Sequence, residues 1–157
     1  MKRTDKENYY LDISDVVSER STCLRRHYGA IIVKDDEIVS TGYNGAPRGR
    51  KNCVDMGVCK RDEMGIPSGE RYELCRSVHA EQNAIISAAR SDEIGATMYL
   101  SGRDGKTNEI LSDTIPCSMC RRLIINAGIR EVVCRTGEGT FVRVPVRDWV
   151  FNDDSIG

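Results

Sequence analysis

The chain has 157 residues, a length that fits one α/β domain with a buried core. Its 23 lysines and arginines balance 24 acidic residues, so no net charge would draw it to nucleic acid or to an anionic membrane surface. Residues 1–8 are polar, and no apolar stretch approaches the ~20 residues that span a bilayer. We therefore expect a single cytoplasmic domain over residues 1–157 without a membrane or nucleic-acid partner.

The first part of the chain predicts a helix followed by a hairpin. Residues 9–20 contain no Pro or Gly, and their apolar positions recur at mostly helical spacing. Residues 30–33 form a short apolar, β-branched run, a polar turn follows at 35–37, and apolar residues resume over 38–43. This pattern indicates two adjacent strands.

A long segment without clear periodicity follows, over residues 45–77. It is rich in glycine and charge, and it carries three of the seven cysteines. A structureless loop of this length is uncommon in a compact domain, because its ordering entropy must be offset. Outside an oxidising compartment, cysteines favour metal ligation, redox chemistry or reduced core positions over disulfides. A bound metal is therefore the obvious means of ordering this loop.

The remaining elements alternate between helix and strand. We expect a buried helix over residues 79–90, a strand over 97–100, a polar excursion over 102–114, a helix over 116–127 with Pro at its start and Gly128 past its end, a strand over 131–134, and an edge strand over 142–150. No internal repeat or low-complexity segment interrupts this order.

Two short motifs carry the chemistry: HAE at residues 79–81 and PCSMC at residues 116–120. The imidazole of His79 and the thiolates of Cys117 and Cys120 make a three-ligand tetrahedral zinc site with one position open to water, which is typical of a catalytic zinc. Each motif opens a predicted helix, and the positive end of a helix dipole favours the thiolate forms that metal binding requires.

Glu81, two residues beyond the histidine, can reach a water on the zinc without binding the metal. A Cys-x-x-Cys pair alone also fits a redox pair or half of a structural zinc site, and His-x-Glu alone is common by chance. Together and in this order, the motifs match the signature of zinc-dependent hydrolytic deaminases. Glu81 would take a proton from water, protonate the ring nitrogen and help deliver a proton to the departing ammonia.

Four further stretches carry a family resemblance: RSTC at 20–23, GAIIV at 29–33, TGYNGAP at 41–47 and HAEQNAI at 79–85. With the two motifs they resemble the deoxycytidylate (dCMP) deaminase family, including its bacterial competence-operon members. The resemblance implies an α/β, cytidine-deaminase-like three-layer fold with a mixed five-stranded sheet flanked by helices. It also implies hydrolysis of dCMP to dUMP and ammonia by a homo-oligomer, often a hexamer.

The resemblance also assigns substrate-binding residues. It implies a loop for substrate and, in regulated members, for a dCTP or dTTP effector with Mg²⁺, formed by Gly42, Tyr43, Asn44 and Gly45. Asn44 would contact the nucleotide sugar, and Ala80 would lie against the substrate. The same four loop residues also suit a plain tight turn. A phosphate needs local cations, and the candidates that surround these motifs in sequence are Arg25, Arg26, Arg48, Arg50, Lys51 and Arg76.

The other cysteines suggest a second, structural zinc. Some phage and bacterial dCMP deaminases carry one with ligands at the positions of Cys23 and Cys53, and Cys59 and Cys75 could complete a closed four-thiolate site. The alternative is four reduced, unligated thiols. Cys134 lies in an apolar strand and is expected to be a buried small hydrophobe.

One departure leaves the exact substrate open. Residues 102–115 separate the preceding strand from Pro116, whereas the family's motif usually follows its strand within a few residues. This insertion lies beside the active site and could reshape the pocket wall. The alternatives are a deaminase of free cytidine, guanine or tRNA adenosine, or a zinc-stabilised binding protein in competence. A binding protein could do without Glu81, so its presence favours the enzyme.

Overall fold

The structure is a computed structural model that describes residues 1–67 and 69–152. The expected domain over 1–157 therefore includes residue 68 and residues 153–157, which lie outside the described residues. No helix in the described part of the chain is long and apolar enough to cross a membrane. The helices and strands are α1 (Lys6–Ser18), β1 (Arg26–Lys34), β2 (Glu37–Tyr43), α2 (Cys53–Met56), α3 (Lys60–Glu63), α4 (Ala80–Ile86), α5 (Arg90–Glu93), β3 (Thr97–Asp104), α6 (Ser118–Ala127), β4 (Glu131–Gly137), β5 (Thr140–Pro145) and α7 (Val146–Asn152).

The five strands form one mixed sheet in the order β2-β1-β3-β4-β5. Strand β1 is antiparallel to both β2 and β3, β3 is parallel to β4, and β5 runs antiparallel on the outer edge. Alternate residues of the strands face two separate cores: α1 covers one face of the sheet, and α4, α6 and α7 cover the other. The predicted α/β fold with a five-stranded mixed sheet flanked by helices is confirmed.

The hairpin between β1 and β2 turns through two aspartates. Asp35 and Asp36 have φ values of 52° and 63°, and Lys34 pairs with Glu37 across the turn. Two consecutive positive φ values match the twist of paired strands, and Asp tolerates them better than most residues do. The hydroxyl of Tyr10 donates to the carbonyl of Asp36 at 3.0 Å, so α1 is attached to this turn.

Helix α1 begins earlier than the apolar pattern predicted, because Asp5 caps it. The Asp5 carboxylate accepts a hydrogen bond from the backbone N–H of Asn8 at 2.8 Å. The helix lies directly on β1 at Gly29, where an added Cβ would stand 1.9 Å from the carbonyl oxygen of Ser14. Only a glycine allows the helix and the strand to approach this closely.

Three other expectations about element bounds were wrong. The helix expected to reach residue 90 ends at Ile86, and the separate short α5 follows it. The strand after it extends to Asp104 instead of ending at residue 100. The edge strand stops at Pro145, and residues 146–152 form α7, because a helix places Val146 and Trp149 on one face, where both are 5% exposed in the core.

The long segment after β2 is more ordered than its sequence suggested. It contains α2, α3 and a 3₁₀ turn at Tyr72–Leu74. Arg61, only 5% exposed, donates to the carbonyl of Pro67 at 2.7 Å and to that of Glu70 at 2.9 and 3.2 Å. A bound metal was the obvious means of ordering this segment, and the structure shows a second one: the chain also ties the segment together through a buried arginine.

Candidate active site

One cavity opens where the start of β1 meets the N-terminal ends of α4 and α6. His79, Glu81 and Cys117 line it, and Leu100 contributes an apolar wall from β3. The long segment after β2 closes another side. The sheet and the two helices thus hold the motif residues, and the loops enclose the space in front of them.

The predicted ligand set comes together at the starts of α4 and α6. His79 is the N-cap of α4, Cys117 is the N-cap of α6, and Cys120 lies in the first turn of α6. Nδ1 of His79 is 3.5 Å from the sulfur of Cys117 and 3.3 Å from that of Cys120. Within the described residues, this is the group of at least three potential ligand atoms that lie within 4.8 Å of one another. Two sulfurs and one imidazole nitrogen suit zinc.

The protonation preferences of this cluster also fit a cation. The hydrogen bond with Cys120 is the main cause that lowers the pKa of Cys117 to about 4; His79 adds to the effect, and burial opposes it. The same bond, with burial, raises the pKa of Cys120. Burial lowers the pKa of His79, but Cys117 and Glu81 outweigh it and raise the pKa overall. Cys117, Cys120 and Glu81 thus bring several potential negative charges into one buried region. A divalent cation bound there would relieve their mutual repulsion.

Glu81 lies in the first turn of α4 and is 5% exposed. Burial raises the pKa of its carboxyl group, and nearby His79 partly opposes the shift. It lies beside the ligand group and is not a member of it. A carboxyl with a raised pKa next to a candidate metal centre is suited to take up a proton and return it.

The predicted nucleotide loop has a structural role that the sequence did not reveal. Asn44 lines the cavity, but its side chain already bridges to β1: Oδ1 accepts from the N–H of Tyr28 at 2.8 Å, and Nδ2 donates to the carbonyl of Arg26 at 2.9 Å. Each amide atom keeps one further hydrogen-bonding position. The sugar contact of Asn44 stays a prediction.

The other residues of that assignment do not line this cavity. Gly42 packs against α4, where an added Cβ would stand 2.4 Å from both the Ala80 carbonyl oxygen and the Ala84 nitrogen. The carbonyl of Tyr43 accepts from Asn83, and Gly45 pairs with Val78. The structure therefore places β2 against the helix that carries His79 and Glu81, and it buries Ala80 completely. The cavity-lining residues do not include Gly42, Tyr43, Gly45 or Ala80.

The six candidate phosphate-binding cations differ in whether they line the cavity. Arg25 and Arg26 line the cavity, whereas Arg48, Arg50, Lys51 and Arg76 do not. Nη1 of Arg25 is buried without a hydrogen bond in the described structure, although Oδ1 of Asp62 lies 3.4 Å away. Arg26 donates to the hydroxyl of Tyr28 at 3.2 Å. Arg61 also lines the cavity; nothing in its local sequence distinguished it from the many exposed basic residues.

The insertion before Pro116 forms part of the cavity wall. The N–H of Leu111 donates to the carbonyl of Gly102 at 2.9 Å, so the insertion folds back onto the end of β3. Ile115 lines the cavity. Asp113 forms an ion pair with Arg26, at 3.6 Å between Oδ2 and Nη1. This agrees with the expectation that the insertion shapes the pocket.

The four cysteines proposed for a second zinc lie in one region. Burial, followed by the neighbouring Cys23, Cys75 and Cys59, raises the pKa of Cys53. Among the described residues their sulfurs do not form a group within the 4.8 Å limit that the first ligand set meets. Cys134 is fully buried as expected, and burial raises the pKa of its thiol to about 12.

Comparison with known proteins assigns the chain to a family. A family model described as the cytidine and deoxycytidylate deaminase zinc-binding region matches residues 4–136. The chain belongs to this zinc-binding deaminase family. This confirms the family that the motifs predicted, and the family's description agrees with zinc as the metal.

Individual relatives agree with this family. The chain is 39% identical to the deoxycytidylate deaminase of Mycobacterium phage D29, over 85% of this chain and 96% of the relative. It is 33% identical to that of Schizosaccharomyces pombe over 85% of this chain, but it spans only 38% of the yeast protein. A crystal structure of the dCMP deaminase from cyanophage S-TIM5, in complex with dCMP and dUMP, superposes with a TM-score of 0.60 at 28% identity, covering 86% of this chain and 84% of that one.

Proposed function

We propose that the protein is a zinc-dependent hydrolase that converts dCMP to dUMP and ammonia. The observation that carries the proposal is the group of His79, Cys117 and Cys120 at two helix starts, with buried Glu81 beside it. The same cavity contains Arg25, whose Nη1 has no hydrogen bond in the described structure. The relatives named as deoxycytidylate deaminases support it, as does the cyanophage enzyme that binds dCMP and dUMP.

The chain's own residues divide the chemistry between them. His79, Cys117 and Cys120 would hold a zinc ion, which would supply the Lewis acid that makes water a nucleophile at neutral pH. Glu81 would take one proton from water and place it on the ring nitrogen N3 of cytosine while the water oxygen bonds to C4. It would transfer the second water proton to the amino group as the bond between C4 and that nitrogen breaks, and the amino group leaves as ammonia. The raised pKa of buried Glu81 favours the uptake of a proton from water.

The phosphate is the group that separates dCMP from deoxycytidine, and we assign its recognition to Arg25 and Arg26. The buried Nη1 of Arg25 has a hydrogen bond to offer, and a phosphate oxygen would accept it. The hydroxyl of Ser77, which also lines the cavity, is buried without a partner in the described residues and supplies a second donor. Asn44 would use its remaining amide hydrogen for the sugar.

The test is an ammonia-release assay with dCMP, deoxycytidine, CMP, dCTP, guanine and tRNA as substrates. We expect dCMP to be deaminated with a far higher kcat/KM than deoxycytidine. Equal efficiency for these two would contradict the phosphate assignment while leaving the deaminase chemistry intact. Turnover of guanine or tRNA without turnover of dCMP would show that dCMP is not the substrate. If the zinc-loaded protein turned over none of the substrates, a binding role would be favoured.

We further propose a second, structural zinc held by Cys23, Cys53, Cys59 and Cys75. Two contacts support it: the sulfurs of Cys23 and Cys75 each accept a backbone N–H from two residues ahead, both at 3.4 Å. These bonds hold the two sulfurs at defined positions beside the backbone, as a metal site requires. A zinc ion would draw the four sulfurs closer than they lie in this structure.

Elemental analysis tests this second site. We expect two zinc ions per chain, and about one after Cys53→Ser or Cys59→Ser, with faster proteolysis within residues 45–77. Cys134→Ala is the matched control, because this cysteine is buried in β4 outside both sets, and it should leave the zinc content unchanged. A single zinc in the unmodified protein, with Cys53 and Cys59 freely titratable under native conditions, would return the four thiols to the reduced, unligated alternative.

The assembly and its regulation complete the proposal. We expect a homo-oligomer, hexameric by family resemblance, with dCTP and dTTP as effectors accompanied by Mg²⁺. Light scattering on the purified protein measures the oligomer. Turnover of dCMP with and without dCTP, dTTP and Mg²⁺ measures the response, and an unchanged rate under every combination would contradict effector control.

A further inference from the structure

Arg61 is a buried cation that no carboxylate among the described residues neutralises. Within the described residues its hydrogen bonds go to the carbonyls of Pro67 and Glu70, and no acidic group pairs with it, although its neighbour Asp62 pairs with Arg25. Burying a charge is costly unless it is paired and hydrogen-bonded, and here the carbonyl oxygens offset part of that cost. Carbonyls hold the planar guanidinium in a fixed orientation, because its donors are directional.

The fixed guanidinium lies over the ring of Tyr72. Its Cζ atom is 4.5 Å from the ring centroid, which is the distance of a cation–π contact. Tyr72 in turn meets His79: their ring centroids are 5.1 Å apart, and the two planes are nearly perpendicular at 85°. The three side chains form a continuous stack from the carbonyls of the long segment to the imidazole of the candidate metal centre.

Apart from Cys117 and Cys120, no side chain in the described part of the chain forms a hydrogen bond with the imidazole of His79. Metal-binding histidines almost always donate their second ring nitrogen to a carboxylate, a carbonyl or water, and this bond fixes the plane of the ring. In the described structure, Nδ1 of His79 faces Cys117 and Cys120, and Nε2 has no protein hydrogen-bond partner. The edge-to-face contact with Tyr72 is therefore a further contact that can restrict the plane of the ring.

We propose that Arg61 is a positioning residue for the metal centre, which holds Tyr72 so that the Tyr72 ring fixes the plane of the His79 imidazole. The proposal rests on the zinc site proposed above, but not on dCMP as the substrate. It predicts that Arg61 and Tyr72 affect the coordination geometry of the bound metal and the rate at which the metal is released. A role confined to loop stability would leave the geometry of the metal site unchanged.

Cobalt substitution distinguishes these roles, because the visible absorption bands of Co²⁺ report its coordination geometry. The bands that Cys120→Ser removes belong to the site at His79, and these bands are compared among Arg61→Met, Arg61→Lys, Tyr72→Leu and Tyr72→Phe. We expect Arg61→Met and Tyr72→Leu to shift them and to speed zinc release to a chelator about 10-fold to 100-fold, the size of outer-shell effects on metal sites. Tyr72→Phe keeps the ring and should retain the unmodified spectrum and rate.

Arg71→Met is the matched control, because Arg71 is an exposed arginine of the same segment that pairs with Glu73. It should change neither readout. Bands and release rates unchanged in both Arg61→Met and Tyr72→Leu would overturn the proposal, even if the variants unfold at a lower temperature. Tyr72→Phe behaving like Tyr72→Leu would overturn it as well. None of these readouts depends on turnover, so a wrong substrate assignment would leave their interpretation intact.

Discussion

The two sets of candidate metal ligands lie on different kinds of structure. His79, Cys117 and Cys120 start helices α4 and α6, which pack on the sheet through a fully buried core. Cys53 begins the four-residue α2, Cys59 precedes α3, and Cys75 follows a 3₁₀ turn. Among the described residues only the first set meets the 4.8 Å limit. The sheet and helices thus bring the candidate catalytic ligands together, whereas the loop depends on local contacts and on whatever it binds.

The largest effect should come from a change that alters neither region. Glu81→Gln preserves the size of the side chain and leaves all proposed ligands in place, but it removes the proton acceptor. We expect kcat to fall ~100-fold to 10,000-fold, with zinc content and thermal unfolding close to those of the unmodified protein. Steady-state kinetics, elemental analysis and calorimetry check the three parts.

Glu93→Gln is the control for that experiment. Glu93 is also buried, at 3% exposed, and burial likewise raises its pKa, but it lies in α5 and does not line the cavity. Its substitution should leave kcat unchanged. Activity of Glu81→Gln near that of the unmodified protein would contradict the proton-transfer mechanism.

A pair of glycines compares the two regions directly. Alanine at Gly42 would place its Cβ 2.4 Å from backbone atoms of Ala80 and Ala84, so α4 must move with His79 and Glu81. Overpacking of this kind costs about 1–3 kcal/mol, and we expect the upper end because the neighbours are backbone. Activity and zinc affinity should fall together with the free energy of unfolding.

Gly57→Ala is the loop member of the pair. Gly57 ends α2 at a φ of 72°, and an added Cβ would meet nothing within 4 Å. The cost is backbone strain of about 1 kcal/mol, which should appear as faster proteolysis of the segment with little change in kcat. Urea unfolding, limited proteolysis and kinetics separate the two variants. Equal losses of activity would show that the loop and the sheet framework do not behave as separate units.

The sequence predicted those parts of the site whose geometry is local. His79 and Glu81 are two residues apart, Cys117 and Cys120 are three apart, and each pair needs only a helix start to take up its position. The alternation of helix and strand predicted the order of the main elements for the same reason. Element ends were less predictable, because the burial of Trp149 decides that α7 forms.

Residues whose roles depend on distant contacts could not be predicted in this way. Asn44 was assigned to the nucleotide, yet its hydrogen bonds to β1 come from residues that lie 16 and 18 positions away. Gly42 was assigned to the same loop, but its neighbours are the backbone of α4. Arg61 has no motif around it, and only the folded segment shows that its guanidinium is buried over Tyr72.

The last predicted effect concerns Arg25, which lies between the two regions, just before β1 and beside the loop. Its side chain is 30% exposed and lies near Asp62 of the loop, so a hydrogen bond to phosphate should contribute toward the lower end of the range for charged groups, ~1.5 kcal/mol. We expect Arg25→Gln to lower kcat/KM for dCMP about tenfold, mainly through KM, and to leave deoxycytidine unaffected. Arg50→Gln, at an exposed position outside the cavity, should affect neither substrate. An equal loss for dCMP and deoxycytidine in Arg25→Gln would mean that this arginine holds the loop in place through Asp62 and does not bind the phosphate. The substrate site would then depend on the contact between the loop and the sheet framework.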